Sequence, residues 1–228
     1  MISLLAAVLT LAHPVAQPRV HLLGRSWDGR LIRAYEIGNP EAARKVLVVG
    51  CIHGNEGAGL AVARALALRA APRGADVWIV PNLNPDGFTA RKRQNAHGVD
   101  LNRNFPYRWR RSGRPWDTVY PGPRPLSERE SGIVARLILR LRPTVSIWYH
   151  QHQNLVRGGG GSAAAARRYA RLAGMRYAGL PVPRGAATGW QVRRFSGSSA
   201  FVVELPAGSL SGTATQRHAR AVLALAAA

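Results

Sequence analysis

The chain has 228 residues, of which 46% are hydrophobic, and its formal net charge at pH 7 is +21. This length and composition support one buried core in a single domain, and the single cysteine, Cys51, excludes an intrachain disulfide framework. Because only Lys45 and Lys92 are lysines, the charge is almost entirely arginine; it forms either a solvated basic surface or one that binds an anionic cell-wall polymer or nucleic acid.

The first sixteen residues bear on targeting. Residues 2–12 are apolar but too few to span a bilayer, and small residues near Ala16 are typical of a cleavage site, although no positive residue follows Met1. We therefore predict a signal peptide over residues 1–16 and one domain over residues 17–228. The protein is then a secreted or cell-wall-associated bacterial protein with no transmembrane segment; the alternative is a cytoplasmic protein.

Strand and helix patterns alternate along the first part of this domain. Apolar runs bounded by turn residues predict strands, and a run with small residues on one face predicts a helix. In chain order these elements are a hairpin formed by residues 20–24 and 31–37, a strand at 45–51, a helix at 57–68 and a strand at 77–80.

The alternation resumes after residues 88–125, a long stretch without clear periodicity. Capping-box patterns predict helix starts at Ser127 and Thr213. In chain order the elements are a helix from Ser127 to about 141, a strand at 144–149, a helix at 163–173, a strand at 200–205 and a helix after 213. This alternation predicts an α/β fold, a three-layer sandwich with a mixed, mostly parallel central sheet.

His53 and Glu56 stand three residues apart, directly after the strand predicted at 45–51. Zinc binds neutral imidazole nitrogen and carboxylate oxygen, and a catalytic zinc site typically has three protein ligands. The spacing differs from the His-Glu-x-x-His motif, in which the glutamate is the base. A third ligand and a base are therefore expected elsewhere in the chain.

Two histidines follow the strand predicted at 144–149, and His150 is the better candidate for the third ligand. A side chain at the carboxyl end of a parallel strand points into the crevice where α/β proteins bind ligands. His150 lies at that end, whereas His152 is already in the loop that follows.

Glu204 is an acid within the apolar strand predicted at 200–205. Glutamate is rarely fully buried without a partner. Burial would raise the pKa of this carboxyl and a nearby Zn²⁺ would lower it, which suits a general base. A structural ion pair with an arginine is the alternative.

The region between these candidates concentrates arginine and amide side chains. Asn-Pro-Asp-Gly at 84–87 is typical of a turn, because proline restricts φ and glycine accepts positive φ. The segment from Arg93 to Phe105 includes Asn102 and Arg103. Guanidinium and amide groups recognise a carboxylate through paired hydrogen bonds, so this segment is a candidate for substrate binding.

Taken in order, His-x-x-Glu, Asn-Pro-Asp-Gly, Gly-Val-Asp-Leu-Asn-Arg-Asn-Phe, a strand-end histidine and a late strand glutamate resemble the zinc carboxypeptidase family. In its short length the chain is similar to the bacterial murein peptide amidases within that family. The resemblance extends from Val46 to Glu204. A lone His-x-x-Glu would be weak evidence, but five motifs in one order are specific.

The resemblance implies a fold and an active site. One Zn²⁺ per chain is expected, bound by His53, Glu56 and His150, with Glu204 activating the attacking water. Asp100 is expected to orient His53, because metal-bound histidine usually donates its other nitrogen to a carboxylate or carbonyl.

The resemblance also assigns the groups that contact substrate. Asn102 and Arg103 match the pair that holds the terminal carboxylate, and Arg93 matches the arginine that polarises the scissile carbonyl and stabilises its oxyanion. The implied activity is hydrolysis of a peptide or isopeptide bond near a free carboxylate, with murein stem peptides as substrates.

One region departs from the family pattern. Larger carboxypeptidases carry a tyrosine on a mobile loop before the catalytic glutamate, whereas residues 181–204 contain no tyrosine. Residues 188–191, with Trp190, are either a specificity element or a loop packed through its aromatic side chain.

Two other functions remain open from the sequence. Zinc deacylases similar to succinylglutamate desuccinylase share His-x-x-Glu and a downstream histidine but cleave an acyl group from a small amino acid. A basic nucleic-acid-binding protein could use arginines with Tyr107, Trp109 and Trp116. Nucleic-acid binding is not expected, because no recognised motif supports it and it leaves the His, Glu and Asn-Arg residues unexplained.

Overall fold

An eight-stranded mixed sheet forms the centre of the protein, which the computed structural model describes over residues 17–228. The signal peptide predicted at residues 1–16 lies outside the described residues. The strands are β1 (Arg19–Arg25), β2 (Leu31–Gly38), β3 (Arg44–Val49), β4 (Ala75–Val80), β5 (Val145–Gln151), β6 (Leu155–Arg157), β7 (Arg176–Ala178) and β8 (Ser199–Leu205).

Six α-helices connect and cover these strands. They are α1 (Ala58–Ala67), α2 (Pro85–Ala90), α3 (Arg129–Leu141), α4 (Ala163–Ala173), α5 (Ala187–Arg194) and α6 (Gly212–Ala226), with short 3₁₀ turns at Leu101–Arg103 and Gly160–Ser162. Within residues 17–228, no helix has the length and apolar character needed to cross a bilayer.

The strands lie in the order β1-β2-β4-β3-β5-β8-β6-β7. The central pairings β4·β3, β3·β5 and β5·β8 are parallel, as is β6·β7, whereas β1·β2, β2·β4 and β8·β6 are antiparallel. Because β3, β5 and β8 run in the same direction and are neighbours, their carboxyl ends meet at one edge of the sheet.

Helices cover both faces of the sheet. Alternate residues of β3 point to opposite faces: Val46 and Val48 pack in a core with α1, α4 and α6, and Leu47 and Val49 pack in a second core with α3. This alternation follows from the two-residue period of a strand. The predicted three-layer α/β architecture with a mixed sheet is confirmed.

Two glycines bring the segment after β3 close to its neighbours. A Cβ on Gly59 would lie 2.1 Å from the carbonyl oxygen of Gly50, so this glycine lets α1 pack directly against the end of β3. A Cβ on Gly54 would lie 2.0 Å from the backbone of Gly87. The turn that carries His53 and Glu56 is therefore held against the start of α2.

Local capping differs from the sequence-based prediction in three places. The side chain of Asn84 accepts from the N–H of Gly87, so Asn-Pro-Asp-Gly opens the short helix α2 instead of forming a simple turn. Helix α3 starts at Arg129 with Glu128 as its N-cap residue, and Ser211, not Thr213, caps α6. Both capping-box predictions named the wrong N-cap residue, because several Ser, Thr and Glu residues near each helix start fit the same local pattern.

Candidate metal centre and active site

Two neighbouring strand ends bring three metal-ligating side chains together. His53 and Glu56 lie in the turn between β3 and α1, and His150 is the penultimate residue of β5. The Nδ1 atoms of the two histidines are 3.0 Å apart, and Glu56 Oε2 lies 3.0 Å from His53 Nδ1 and 2.8 Å from His150 Nδ1. One ligand atom from each residue thus reaches a common centre.

The Nε2 atom of each imidazole contacts a residue outside the ligand cluster. His53 Nε2 lies 2.9 Å from Asp100 Oδ1, so Asp100 fixes the orientation of the His53 ring. His150 Nε2 lies 3.3 Å from the side-chain nitrogen of Asn102. The contact predicted between Asp100 and His53 is present in the structure.

The donor set fits zinc. Two imidazole nitrogens and one carboxylate oxygen are typical ligands of a catalytic zinc, which keeps a further position open. All three side chains are buried, and the orientation of His53 by Asp100 is the usual arrangement behind a metal ligand. The three residues therefore form a possible zinc site.

Burial and hydrogen bonding also shift the pKa values of the candidate ligands. Burial lowers the pKa of the His150 imidazole, whereas at His53 the charges and hydrogen bonds of Asp100 and Glu56 outweigh burial and raise the pKa. Burial by itself would raise the pKa of the Glu56 carboxyl, but hydrogen bonds from His150 and His53 outweigh it and hold that pKa far below its ordinary value. A neutral histidine and an ionised glutamate are the forms that bind a metal ion.

Arg93 connects the metal-ligand cluster to Asp100. Its Nη1 donates to Glu56 Oε1 at 2.8 Å, and its Nε and Nη2 donate to Asp100 Oδ2 at 3.1 and 3.0 Å. Burial would raise the pKa of Asp100, but the charges and hydrogen bond of His53, together with Arg93, outweigh it and keep the carboxylate ionised. Arg93 still lines the cavity above the cluster.

The 3₁₀ turn Leu101–Arg103 places an amide and a guanidinium on the same cavity. Asn102 Oδ1 accepts from the N–H of Ala187 at 3.0 Å, and Arg103 Nη1 donates to the carbonyl of Asn102 at 2.8 Å. Within residues 17–228, Arg103 has no carboxylate at ion-pair distance. Burial lowers the pKa of Arg103, as do the charges of Arg93 and Arg157, so this end of the cavity favours an anion.

Glu204 stands beside His150, its register partner in the β5·β8 ladder. Its Oε2 is buried and has no hydrogen-bond partner among residues 17–228, and Arg157 Nη1 lies 3.7 Å from Oε1, which is too long for a hydrogen bond. Burial raises the pKa of this carboxyl, the charge of Glu56 raises it further, and Arg157 opposes both. A buried carboxylate without a hydrogen bond is uncommon and indicates a functional position.

These groups share one cavity of about 180 Å³, lined by polar and apolar side chains. The structure therefore brings together all seven residues singled out as metal, catalytic or substrate-binding candidates: His53, Glu56, Arg93, Asn102, Arg103, His150 and Glu204. His152 is exposed and lies outside the ligand cluster.

The sequence patterns did not identify Arg157, and they left open whether residues 188–191 contact substrate or pack within the fold. Arg157 lines the cavity from β6, a three-residue strand too short for a periodic signal. Thr188 also lines the cavity, but Trp190 packs against Phe105 in the second core, with ring centroids 5.7 Å apart. The aromatic residue of that segment is thus a packing residue, and only Thr188 faces the site.

Comparisons with known proteins agree with this arrangement. A family model described as zinc carboxypeptidase matches residues 12–171, which include the three candidate metal ligands but not Glu204. Murein peptide amidase A of Escherichia coli K12 is 36% identical over 124 residues, covering 49% of this chain and 51% of that protein. The chain thus spans about half the length of this curated relative.

Two solved structures show the same fold at low sequence identity. A murein-tripeptide amidase from Escherichia coli O157 is 24% identical, with a TM-score of 0.75 and a match covering 92% of each chain. A succinylglutamate desuccinylase from Silicibacter sp. TM1040 is 19% identical, with a TM-score of 0.65 over 94% of this chain and 68% of the other. Because both identities are below 25%, these two matches bear on the fold and not on the substrate.

Proposed function

Since the chain belongs to the zinc carboxypeptidase family, we propose that it is a zinc hydrolase that cleaves a peptide or isopeptide bond next to a free carboxylate. One observation carries this proposal. The possible zinc site formed by His53, Glu56 and His150 shares a cavity with Glu204, a buried carboxylate that makes no hydrogen bond within the part of the chain that the structure describes.

Glu204 is the proposed general base and acid. Zinc, when bound, supplies Lewis acidity that lowers the pKa of water and polarises a carbonyl. The unpaired Oε2 of Glu204 is free to accept a proton from the attacking water, and the same carboxyl can then donate that proton to the leaving amine. Burial raises the pKa of this carboxyl and bound Zn²⁺ would lower it, a balance that suits a group that first accepts and then donates a proton.

Arg93 is the proposed partner of the oxyanion. Its guanidinium is oriented by three hydrogen bonds to Asp100 and Glu56 and lines the cavity. A fixed positive charge of this kind stabilises developing negative charge without having to reorganise during the reaction.

Arg103 and Asn102 are the proposed site for the substrate carboxylate. Arg103 lacks a carboxylate partner within the described chain, and its only side-chain hydrogen bond is to the carbonyl of Asn102. A guanidinium can bind a carboxylate through two parallel hydrogen bonds. Binding there would hold the scissile bond beside Glu204 and Arg93, which line the same cavity.

The proposed substrates are peptidoglycan stem peptides. This step is supported by the 36% identity to a protein named murein peptide amidase A and by a cavity that recognises a free carboxylate. We also propose export to the cell wall, with the +21 charge concentrating the protein on anionic wall polymers; fractionation of cells that produce the full chain would test this.

The direct test measures bound zinc and turnover of γ-D-glutamyl-meso-diaminopimelate by the purified protein. We expect one zinc per chain and hydrolysis of that dipeptide. His53→Ala should lose both, because it removes one of three ligands. His152→Ala is the matched control and should keep both, since His152 is exposed and lies outside the cluster. Full turnover by His53→Ala would contradict the proposal.

A zinc deacylase is the second candidate, because such enzymes share His-x-x-Glu and a downstream histidine with this chain; the desuccinylase structure shows only that the fold is shared. The two candidates differ in what contacts Arg103: a peptide with a terminal carboxylate, or a small N-acyl amino acid. Parallel assays on the γ-D-glutamyl dipeptide and on N-succinyl-L-glutamate separate them. Selective turnover of the latter would replace the peptidase proposal.

Nucleic-acid binding is weakened by the surroundings of the aromatic residues that it requires. The ring of Tyr107 packs directly against Gly189, where an added Cβ would lie 2.5 Å from the nearest ring atom. The Trp109 indole donates to the carbonyl of Pro121 at 3.2 Å, and Lys92 stacks on Trp116. Tyr107 and Trp109 are thus engaged within the fold, and Trp116, although 49% exposed, has Lys92 over its ring, so an extended base-stacking surface is not expected.

A further inference from the structure

Arg157 is a third guanidinium at the cavity, besides Arg93 and Arg103. In the antiparallel β6·β8 ladder, Arg157 is opposite Val202 and Leu155 is opposite Glu204. Residues two apart on a strand point to the same face, so Arg157 and Glu204 project from the same side of the sheet. Their side chains approach to 3.7 Å.

The hydrogen-bonding capacity of Arg157 is free. Its side chain is 24% exposed and makes no side-chain hydrogen bond of 3.5 Å or less within residues 17–228. The other two arginines differ: Arg93 is bonded to Glu56 and Asp100, and Arg103 is bonded to a backbone carbonyl. Arg157 therefore faces the cavity with its donors available to a ligand.

The cavity offers a positively charged partner to a substrate carboxylate but no free carboxylate to a substrate cation. The acidic residues that line it are Glu56 and Glu204, one in the metal-ligand cluster and the other the proposed base. A cationic substrate side chain would have no free counter-ion there and would meet Arg157. An apolar side chain would displace water from Arg157 without replacing its hydrogen bonds, which is costly.

We propose that Arg157 is a specificity-determining residue that selects substrates whose leaving residue carries a second carboxylate, in addition to the terminal carboxylate at Arg103. This inference rests on the proposed function and names the substrate class of that site. Among stem-peptide residues, meso-diaminopimelate and L-lysine differ by one carboxylate on the far carbon of the side chain. That carboxylate is the group that Arg157 recognises.

A positioning role for Arg157 on Glu204 makes a different prediction. An arginine that only holds the Glu204 carboxylate would affect every substrate equally, because all of them need the base. Recognition of a second carboxylate changes the ratio of kcat/KM between two substrates that differ in that group. The ratio, not the absolute rate, is therefore the readout.

The experiment compares γ-D-glutamyl-meso-diaminopimelate with γ-D-glutamyl-L-lysine in the zinc-loaded wild type, Arg157→Met and Arg157→Lys. A charge-assisted hydrogen bond predicts a wild-type preference for the diaminopimelate substrate of roughly 10- to 100-fold. Arg157→Met should reduce that preference to near unity, and Arg157→Lys should restore part of it. An unchanged ratio in Arg157→Met, or a wild-type preference for lysine, would overturn the inference.

Binding of the free amino acids separates failure of the inference from failure of the proposed function. Calorimetric titration with meso-diaminopimelate and with L-lysine needs no turnover. Preferential binding of meso-diaminopimelate that is lost in Arg157→Met would support the inference even if no dipeptide were hydrolysed, a result that would reject the peptidase proposal alone. Equal binding of the two amino acids by the wild type would reject the role of Arg157.

Discussion

Glu128 and Glu204 are both buried glutamates, 3% and 7% exposed, and their surroundings are opposite. The Glu128 carboxylate accepts from the Ser127 hydroxyl at 2.6 Å, the Trp27 indole at 2.9 Å and the Asn95 amide at 2.8 Å. The Glu204 carboxylate accepts no hydrogen bond from the described residues, and Arg157 Nη1 lies 3.7 Å from its Oε1.

The two glutamates differ in role: Glu128 stabilises the fold, whereas Glu204 is available for chemistry. Glu128 lies at the start of α3 and ties two loops to that helix, so its hydrogen bonds are used in holding the fold. Glu204 lies on the cavity at the carboxyl end of β8. A buried carboxylate left without donors is costly to maintain, and at Glu204 this cost accompanies a free oxygen that can accept a proton.

The largest expected effect is on turnover, in Glu204→Gln. An amide cannot accept the proton of the attacking water, and loss of a general base typically costs about 10² to 10⁴ in rate. Bound zinc should remain at one per chain, because the three ligands are untouched. Steady-state kinetics and metal analysis on the same sample measure both quantities; turnover within tenfold of the wild type would remove Glu204 from the mechanism.

The next effect concerns a buried histidine outside the cavity, His218. Its Nδ1 lies 2.8 Å from the Tyr169 hydroxyl, and burial, with a smaller contribution from the Arg217 charge, lowers the pKa of His218 from 6.5 to about 4. The unfolded chain takes up this proton first as the pH falls below 6.5. The free energy of unfolding should therefore decrease between pH 6.5 and 4, by up to about 3 kcal/mol.

Denaturant unfolding at several pH values measures that decrease. His218→Gln keeps a hydrogen-bonding group for Tyr169 but does not titrate, so its pH dependence between 6.5 and 4 should be smaller than that of the wild type. Identical pH profiles for the two proteins would show that His218 is not the responsible group.

The smallest effect is expected for Glu128→Gln, whose change in unfolding free energy can be compared directly with that of Glu204→Gln. Removing the charge weakens the hydrogen bonds from Trp27 and Asn95, at an expected cost of about 2 kcal/mol in unfolding free energy. Glu204→Gln should not destabilise, because no hydrogen bond is lost. Urea unfolding of both variants tests this; an equal loss of stability in the two would mean that the glutamates do not differ as proposed.

Much of the site was predictable because its residues lie in recognisable local settings. His53 and Glu56 follow a buried strand, His150 and Glu204 end two others, and parallel strands bring such ends to one edge. The contact between Asp100 and His53 followed from the usual second interaction of a metal-bound histidine. The convergence of the three possible ligands within one cluster agrees with these expectations.

Other features could not be predicted from local patterns. The three-residue strands β6 and β7 have too few positions for a periodic signal, and residues around Ser127 and Thr213 offer several equivalent helix starts. Trp190 fits either a specificity element or a packed loop until its neighbour Phe105 is known. Each of these depends on a partner that is distant in the sequence.

Strand and helix periodicity, which is a local property, was enough to predict the layered α/β architecture, and the order of the motifs along the chain was enough to predict the residue types of a zinc hydrolase site. The packed fold was needed to show that, within residues 17–228, Glu204 has no hydrogen-bond donor and Arg103 no carboxylate partner, and that Arg157 faces the cavity. Those facts depend on the register of β6 against β8 and on what the packed loops leave unpaired.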